Sequence, residues 1–231
     1  MAAMQAETQD AVFESLETLS QASPYYKWLS GRVQPFLKGK ALEIGAGIGN
    51  FARWARENVS EYHVSDNDPR LVQELSRDFP RAVCWDIFHP FPGDEKYDTV
   101  VILNVVEHLE DDLEALRRIH QRLNPDGHLI LMVPAMNFLY GSLDESFGHY
   151  RRYTKNTINK VIRNAGFEIL KSEYVNVVGM FGWFLYGRIL KVRKLPQQLC
   201  SRFHLVLPLL TLERPIAKIM GLSVIVTAKK I

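Results

Sequence analysis

The sequence predicts an α/β chain built on a doubly wound, mostly parallel sheet, and three observations predict it. Apolar runs of strand length alternate with segments of helical period between Lys40 and Lys229. The run Tyr97–Leu103 is apolar at nearly every position, as a central parallel strand buried on both faces requires. Finally, Ala41–Asn50, Ala-Leu-Glu-Ile-Gly-Ala-Gly-Ile-Gly-Asn, carries a short strand through three alternating glycines into a helix. At 231 residues the chain suits one such domain with an elaboration, read as a single unit over residues 1–231. A net charge of +2, with basic and acidic residues interspersed, speaks against a nucleic-acid partner. Cys84 and Cys200 form no CxxC pair; Cys84 sits in an apolar strand pattern that predicts a buried thiol and a reducing, cytoplasmic setting. Met1–Leu19 is polar and acidic, unlike a signal peptide or an anchor.

The elements follow in order. Val12, Phe13, Leu16 and Leu19, then Tyr25, Tyr26, Trp28, Leu29, Val33 and Phe36, recur at helical spacing, with Pro24 and Gly39 as breaks. Lys40–Ile44 is the first strand. Beyond it Gly45, Gly47 and Gly49 remove every Cβ from the turn, so the backbone can take positive φ and lie against a ligand. Glu43 decides what kind. A phosphate cradle offers backbone N–H groups and a helix N-terminus to an anion, which a neighbouring carboxylate would repel. Glu43 therefore argues for a ligand bearing positive charge, such as a sulfonium with an α-ammonium group. Taken alone, the turn also fits a tight strand-to-helix connection, the lesser of the two readings. Here the residues resemble the first motif of class I S-adenosylmethionine (SAM)-dependent methyltransferases, Glu/Asp-x-Gly-x-Gly-x-Gly. The resemblance implies a Rossmann-like seven-stranded sheet with an antiparallel strand 7, N-terminal helices as a lid over residues 1–38, and SAM contacts from Glu43, Gly45, Ala46, Gly47 and Gly49. Tyr25 or Tyr26 would touch the methionine end of the donor, or serve as core.

Phe51–Asn58 reads as a helix and Glu61–Ser65 as a strand ending at Asp66. Asp66 lies roughly 20 residues past the glycines, where a strand-end carboxylate accepts both ribose hydroxyls. Asn67 follows it, and Asp68 before Pro69 is the helix cap. After a helix over Leu71–Phe79 and a strand over Arg81–Trp85 comes Asp86-Ile87-Phe88. By resemblance Asp86 and Ile87 meet the adenine; the alternative is an Asx turn before His89-Pro90. Past Tyr97–Leu103, the loop Asn104–Leu109 matches the family's segment bordering the sulfonium and the acceptor, with Asn104 a cofactor contact and His108 either a general base or structural. Leu113–Leu123 is a helix, Asn124–Gly127 a turn, and His128–Val133 the fifth strand.

Tyr140–Tyr153 is unusually polar and aromatic for a connection. It leaves the carboxyl edge of the sheet, where open α/β sheets bind ligands. Tyr140, Arg151 and Arg152 are the substrate-binding candidates, the arginines as clamps for a carboxylate or phosphate. His149 is the candidate base, with Tyr150 beside it as a second catalytic candidate. The alternative of equal weight is that Asp144 and Glu145 pair with the arginines and pin the loop. The His-Tyr-Arg-Arg-Tyr run resembles one in a bacterial subgroup of these methyltransferases. Thr154 caps the next helix, Glu168–Val175 is strand six, and Ser223–Lys229 is strand seven.

The connection 176–222 is a helical insert where the family has a short turn. Its runs Gly179–Gly187 and Phe203–Leu212 are too short to span a bilayer. Two readings stay open: a hydrophobic lid or homodimer face, or an apolar surface with a basic rim resting peripherally on a membrane. The histidines and cysteines show no metal-ligand spacing, so no metal is expected, and no nucleophile elbow or Walker loop is present. An NAD(P)-dependent oxidoreductase would use a similar turn, but no Tyr-x-x-x-Lys pair exists and Glu43 sits badly beside a pyrophosphate. The expectation is a SAM-dependent methyltransferase acting on an oxygen or nitrogen of a small, apolar or lipid-like acceptor. A SAM-binding partner subunit without activity is the second reading.

Overall fold

The computed structural model describes residues 23–194, 210, 213 and 215–231. The first expected N-terminal helix, Cys200 and most of the run Phe203–Leu212 lie outside the described residues. Seven strands form one sheet in the order β3-β2-β1-β4-β5-β7-β6. They are β1 (Lys40–Ile44), β2 (Glu61–Asp66), β3 (Ala82–Cys84), β4 (Tyr97–Leu103), β5 (Leu123–Pro134), β6 (Phe167–Val175) and β7 (Ser223–Lys230). Strands β3 to β5 run parallel, and β7 inserts antiparallel between β5 and β6. The seven-stranded, mostly parallel architecture is therefore as expected.

Alternation along the central strands explains why both faces are covered. Leu42, Ile44, Val100, Ile102, Leu129 and Leu131 face one core, against α4 (Asp112–Arg122) and α6 (Lys155–Asn164). Ala41, Val101, Ile130 and Met132 face the other, against α1 (Ser23–Val33) and α2 (Ala52–Ala55), together with Leu75 of α3 (Pro69–Leu75). Tyr25, Tyr26 and Trp28 of α1 pack against this second core.

Local signals act where the sequence places them. The Asp68 carboxylate accepts the Arg70 amide at 2.9 Å and caps α3. Thr154 and Thr157 exchange side-chain-to-amide bonds at the start of α6. Two expectations need correction. Cys84 is exposed, because β3 is the edge strand and only three residues long, too short to bury its end. Asn124–Gly127 is no separator before β5 but a bulge within it. Leu123 pairs with Tyr97 and His128 with Thr99, and the extra residues loop out at Asp126, whose φ is 61°.

Between β6 and β7, Asn176 caps α7 (Val177–Trp183), which passes into a π-helical turn, Phe184–Ile189; a 3-10 turn, Ile216–Lys218, precedes β7. Among the described residues no helix is long and apolar enough to cross a membrane.

Candidate active site

Every loop that matters leaves the same edge of the sheet. At the end of β1 the chain turns through Gly45, Gly47 and Gly49 with φ of 69°, 59° and 80°. A Cβ on Gly45 would stand 2.3 Å from Cγ2 of Val105, so glycine lets the loop after β4 press directly on this turn. The amides of Gly45 and Ala46 donate to the Ser65 carbonyl at 2.8 and 3.0 Å, and that of Gly47 donates to Oδ2 of Asp66 at 2.9 Å. Oδ1 of Asp66 accepts the Asp68 amide at 3.1 Å. Asp66 is thus the buried clasp between the glycine turn and the end of β2, and burial raises its pKa. Asn67 beside it is exposed.

Glu43 is 3 % exposed and accepts one hydrogen bond, from the Tyr62 hydroxyl at 2.7 Å. Burial pushes its pKa up to about 8; the Tyr62 bond offsets part of this, and the charge of Asp66 adds to it. Among the described residues no cation lies against this buried acid, which is what a cationic ligand would complete, so the chemistry of this donor set fits the charged end of SAM. Farther along the edge, Ile87 is buried and Asp86 exposed. Asp86 accepts the Phe88 amide at 2.9 Å, which is the Asx turn. Asn104 is exposed at φ 54°, its amide held by the Met132 carbonyl at 2.8 Å.

A second cluster lies where the loops after β4 and β5 meet. Asp144, on α5 (Ser142–Phe147), is its centre and is fully buried. It binds Nδ1 of His149 at 2.8 Å and accepts Nε of Arg152 at 2.7 Å, Nε1 of Trp183 at 3.1 Å and the Gly141 amide at 3.2 Å. Burial works against its ionisation, but His149 and Arg152 outweigh it and hold the pKa below the usual carboxylate range. Arg152 also donates to the Ala135 carbonyl at 2.8 Å. The pairing alternative therefore holds for Asp144 and Arg152, while Glu145 is exposed. Arg152 is buried, and among the described residues its Nη2 has no hydrogen-bond partner. Arg151 binds Asp112 at 3.3 Å and the Glu110 carbonyl at 2.9 Å.

Of the remaining candidates, Tyr140 donates its hydroxyl to the His149 carbonyl at 2.9 Å, and Tyr150 is 58 % exposed with its amide on the Glu107 carbonyl. The His108 and His149 rings meet edge to face, centroids 4.8 Å apart. Burial, with the neighbouring His149, pushes the pKa of His108 down to about 4, so the ring stays neutral. Between them lies a residue that sequence reasoning passed over. Glu107 is fully buried in the 3-10 turn Val106–His108, and among the described residues neither of its carboxylate oxygens has a hydrogen-bond partner. Burial raises its pKa to about 8.

A glycine turn at the first strand, a buried acid before it and strand-end acids along one sheet edge define an α/β enzyme that docks a nucleoside donor. Residues 9–172 match the family model described as a methyltransferase domain, well over half of the chain, and the chain belongs to that family. It is a SAM-dependent methyltransferase with SAM as its cofactor.

Solved structures share the fold. A SAM-dependent methyltransferase from Mesorhizobium loti superposes with a TM-score of 0.60 at 16 % identity, over 89 % of this chain and 98 % of the other. The N-methyltransferase NodS from Bradyrhizobium japonicum gives 0.56 at 14 %, over 90 % and 97 %. The [4+2]-cyclase SpnF gives 0.58 at 21 %, over 88 % and 81 %. Among curated proteins, a highly reducing polyketide synthase of Emericella nidulans is 25 % identical over 118 residues, which is 41 % of this chain but only 4 % of the synthase.

Proposed function

We propose that the chain methylates an oxygen or nitrogen of a small, apolar or lipid-like acceptor, held between the loop after β4, the loop after β5 and the insert. The observation behind this is an aromatic wall at the Asp144 cluster. The Phe147 ring stacks on His149 and lies 5.9 Å from Trp183, while Phe138 and Phe184, 53 % and 40 % exposed, face each other at 6.4 Å. Exposed rings beside a methyl-donor site suit an acceptor with apolar surface. Phe181, Leu185, Ile189 and Leu190 extend the exposed apolar surface over α7 and the π-helical turn.

In this reading Glu43 meets the charged end of SAM, Asp66 its ribose, and Asp86, Ile87 and Asn104 its remaining edge. Bound there, SAM supplies an electrophilic sulfonium methyl. The chain contributes alignment, which supplies most of the rate of an in-line displacement. His149, its Nδ1 fixed by Asp144, presents Nε2 as the base for a hydroxyl acceptor.

The test is transfer of a tritiated methyl group from SAM to fractionated cell extract, the organic-soluble fraction against the aqueous one. Label in the organic-soluble fraction is expected; label confined to proteins or nucleic acid refutes the acceptor class. His149→Ala should slow turnover while leaving SAM affinity unchanged, and a fully active variant removes His149 as base.

A further inference from the structure

We propose that Glu107, His108 and His149 form a binding site for one divalent first-row transition-metal ion. Each offers a ligand atom, and these atoms all lie within 4.8 Å of one another. Nε2 of His149 stands 4.0 Å from Oε1 of Glu107. Ligands 2.0–2.2 Å from an ion are about 3.4 Å apart in tetrahedral geometry. Closing the site asks each side chain to move by well under the width of an atom. Two imidazole nitrogens and one carboxylate suit zinc, iron or cobalt rather than calcium or magnesium.

Two features beyond this proximity point to a ligand. The Glu107 carboxylate is fully buried and among the described residues both its oxygens lack a hydrogen-bond partner, a costly arrangement unless a cation completes it. The guanidinium of Arg152 already faces Asp144, and its Nη2 likewise makes no bond to Glu107. Moreover, His149 is held as metal-ligating histidines are. Its Nδ1 is engaged by the carboxylate of Asp144 at 2.8 Å, which leaves Nε2 directed toward Glu107.

The ion would sit in the loop after β4, beside the proposed acceptor wall, and would take Nε2 of His149 as a ligand, so that His149 acts as a base only in the ion-free chain. It would favour an acceptor that presents hydroxyl or carboxylate oxygens. This acceptor class rests on the proposed function; the ion site itself does not.

The test is equilibrium dialysis of the chelator-stripped full chain against Zn2+, with Co2+ as a coloured probe, and calorimetric titration with SAM on the same preparation. One Zn2+ or Co2+ per chain is expected, with visible Co2+ bands. Glu107→Gln and His149→Ala should each weaken binding at least 100-fold, and Asp144→Asn about 10- to 100-fold. Glu107→Gln, nearly isosteric, should fold without metal, as circular dichroism can check; should it unfold, His149→Ala at a partly exposed position carries the comparison. A folded wild type that binds SAM but neither ion overturns the inference while sparing the methyltransferase reading. Ion binding that survives both substitutions overturns it too.

Discussion

If Glu43 must be ionised to meet the charged end of SAM, binding the cofactor has to remove a proton from it. With its pKa at about 8, only about 1 % of the chains carry the anion at pH 6, against about half at pH 8. SAM should therefore bind about fiftyfold more tightly at pH 8 than at pH 6, close to 2.3 kcal/mol, with most of the change between pH 6 and 7.5. The assay is isothermal titration with SAM across this range in two buffers of different ionisation enthalpy. Near pH 7 most binding events should release one proton from the protein. The α-amino group of SAM titrates in the same range, so the decisive comparison is with Glu43→Gln. That variant retains the shape of the site and cannot titrate; its affinity should lack the wild-type slope. Equal slopes and equal proton release in the two proteins would refute the role given to Glu43.

The same acid has a consequence for stability without SAM. Its folded-state value lies above its ordinary 4.5, so the folded chain holds the proton more tightly and loses stability as pH rises from about 4.5 to about 8. Melting temperature should fall over that window, and Glu43→Gln should flatten the fall. Asp66→Ala should weaken SAM at least tenfold by titration calorimetry; unchanged affinity removes Asp66 from the site. Gly45→Ala places a Cβ against Val105 at a φ of 69°, so urea unfolding should show a loss of about 1–2 kcal/mol or more, partly restored by adding Val105→Ala. Asp144→Ala strands the buried guanidinium of Arg152 and should cost about 3–5 kcal/mol in urea unfolding, whereas a near-neutral result would mean that the cluster carries little of the stability.

Much of the fold was legible because burial on two faces writes itself into sequence. The run Tyr97–Leu103 is β4 residue for residue, and the caps at Asp68 and Thr154 act through the hydroxyl and carboxylate chemistry that identified them. Cys84 was not legible, since an apolar pattern does not say whether its strand lies at the edge of the sheet. The four-residue bulge in β5 escaped for a related reason: Asn-Pro-Asp-Gly reads as a turn whether it precedes a strand or interrupts one. The glycine turn with Glu43 was marked by spacing within a few residues. The pairing of Asp144 with Arg152 was marked as well, since both lie in one loop beside His149, but Trp183 and Glu107 were not, because they reach the cluster from the insert and from the loop after β4. Nor does any local pattern distinguish a buried acid such as Glu107 from a solvated one; only the meeting of the two loops reveals it.

The bond from the Trp183 indole to Asp144 has an evolutionary reach. It fastens the segment between β6 and β7 to the loop after β5, so the two cannot vary independently. A segment without an indole at this place would leave Asp144 short of a donor and Phe147 without its aromatic neighbour. Changes of acceptor in this lineage should therefore arrive as paired substitutions, one on each side of that bond.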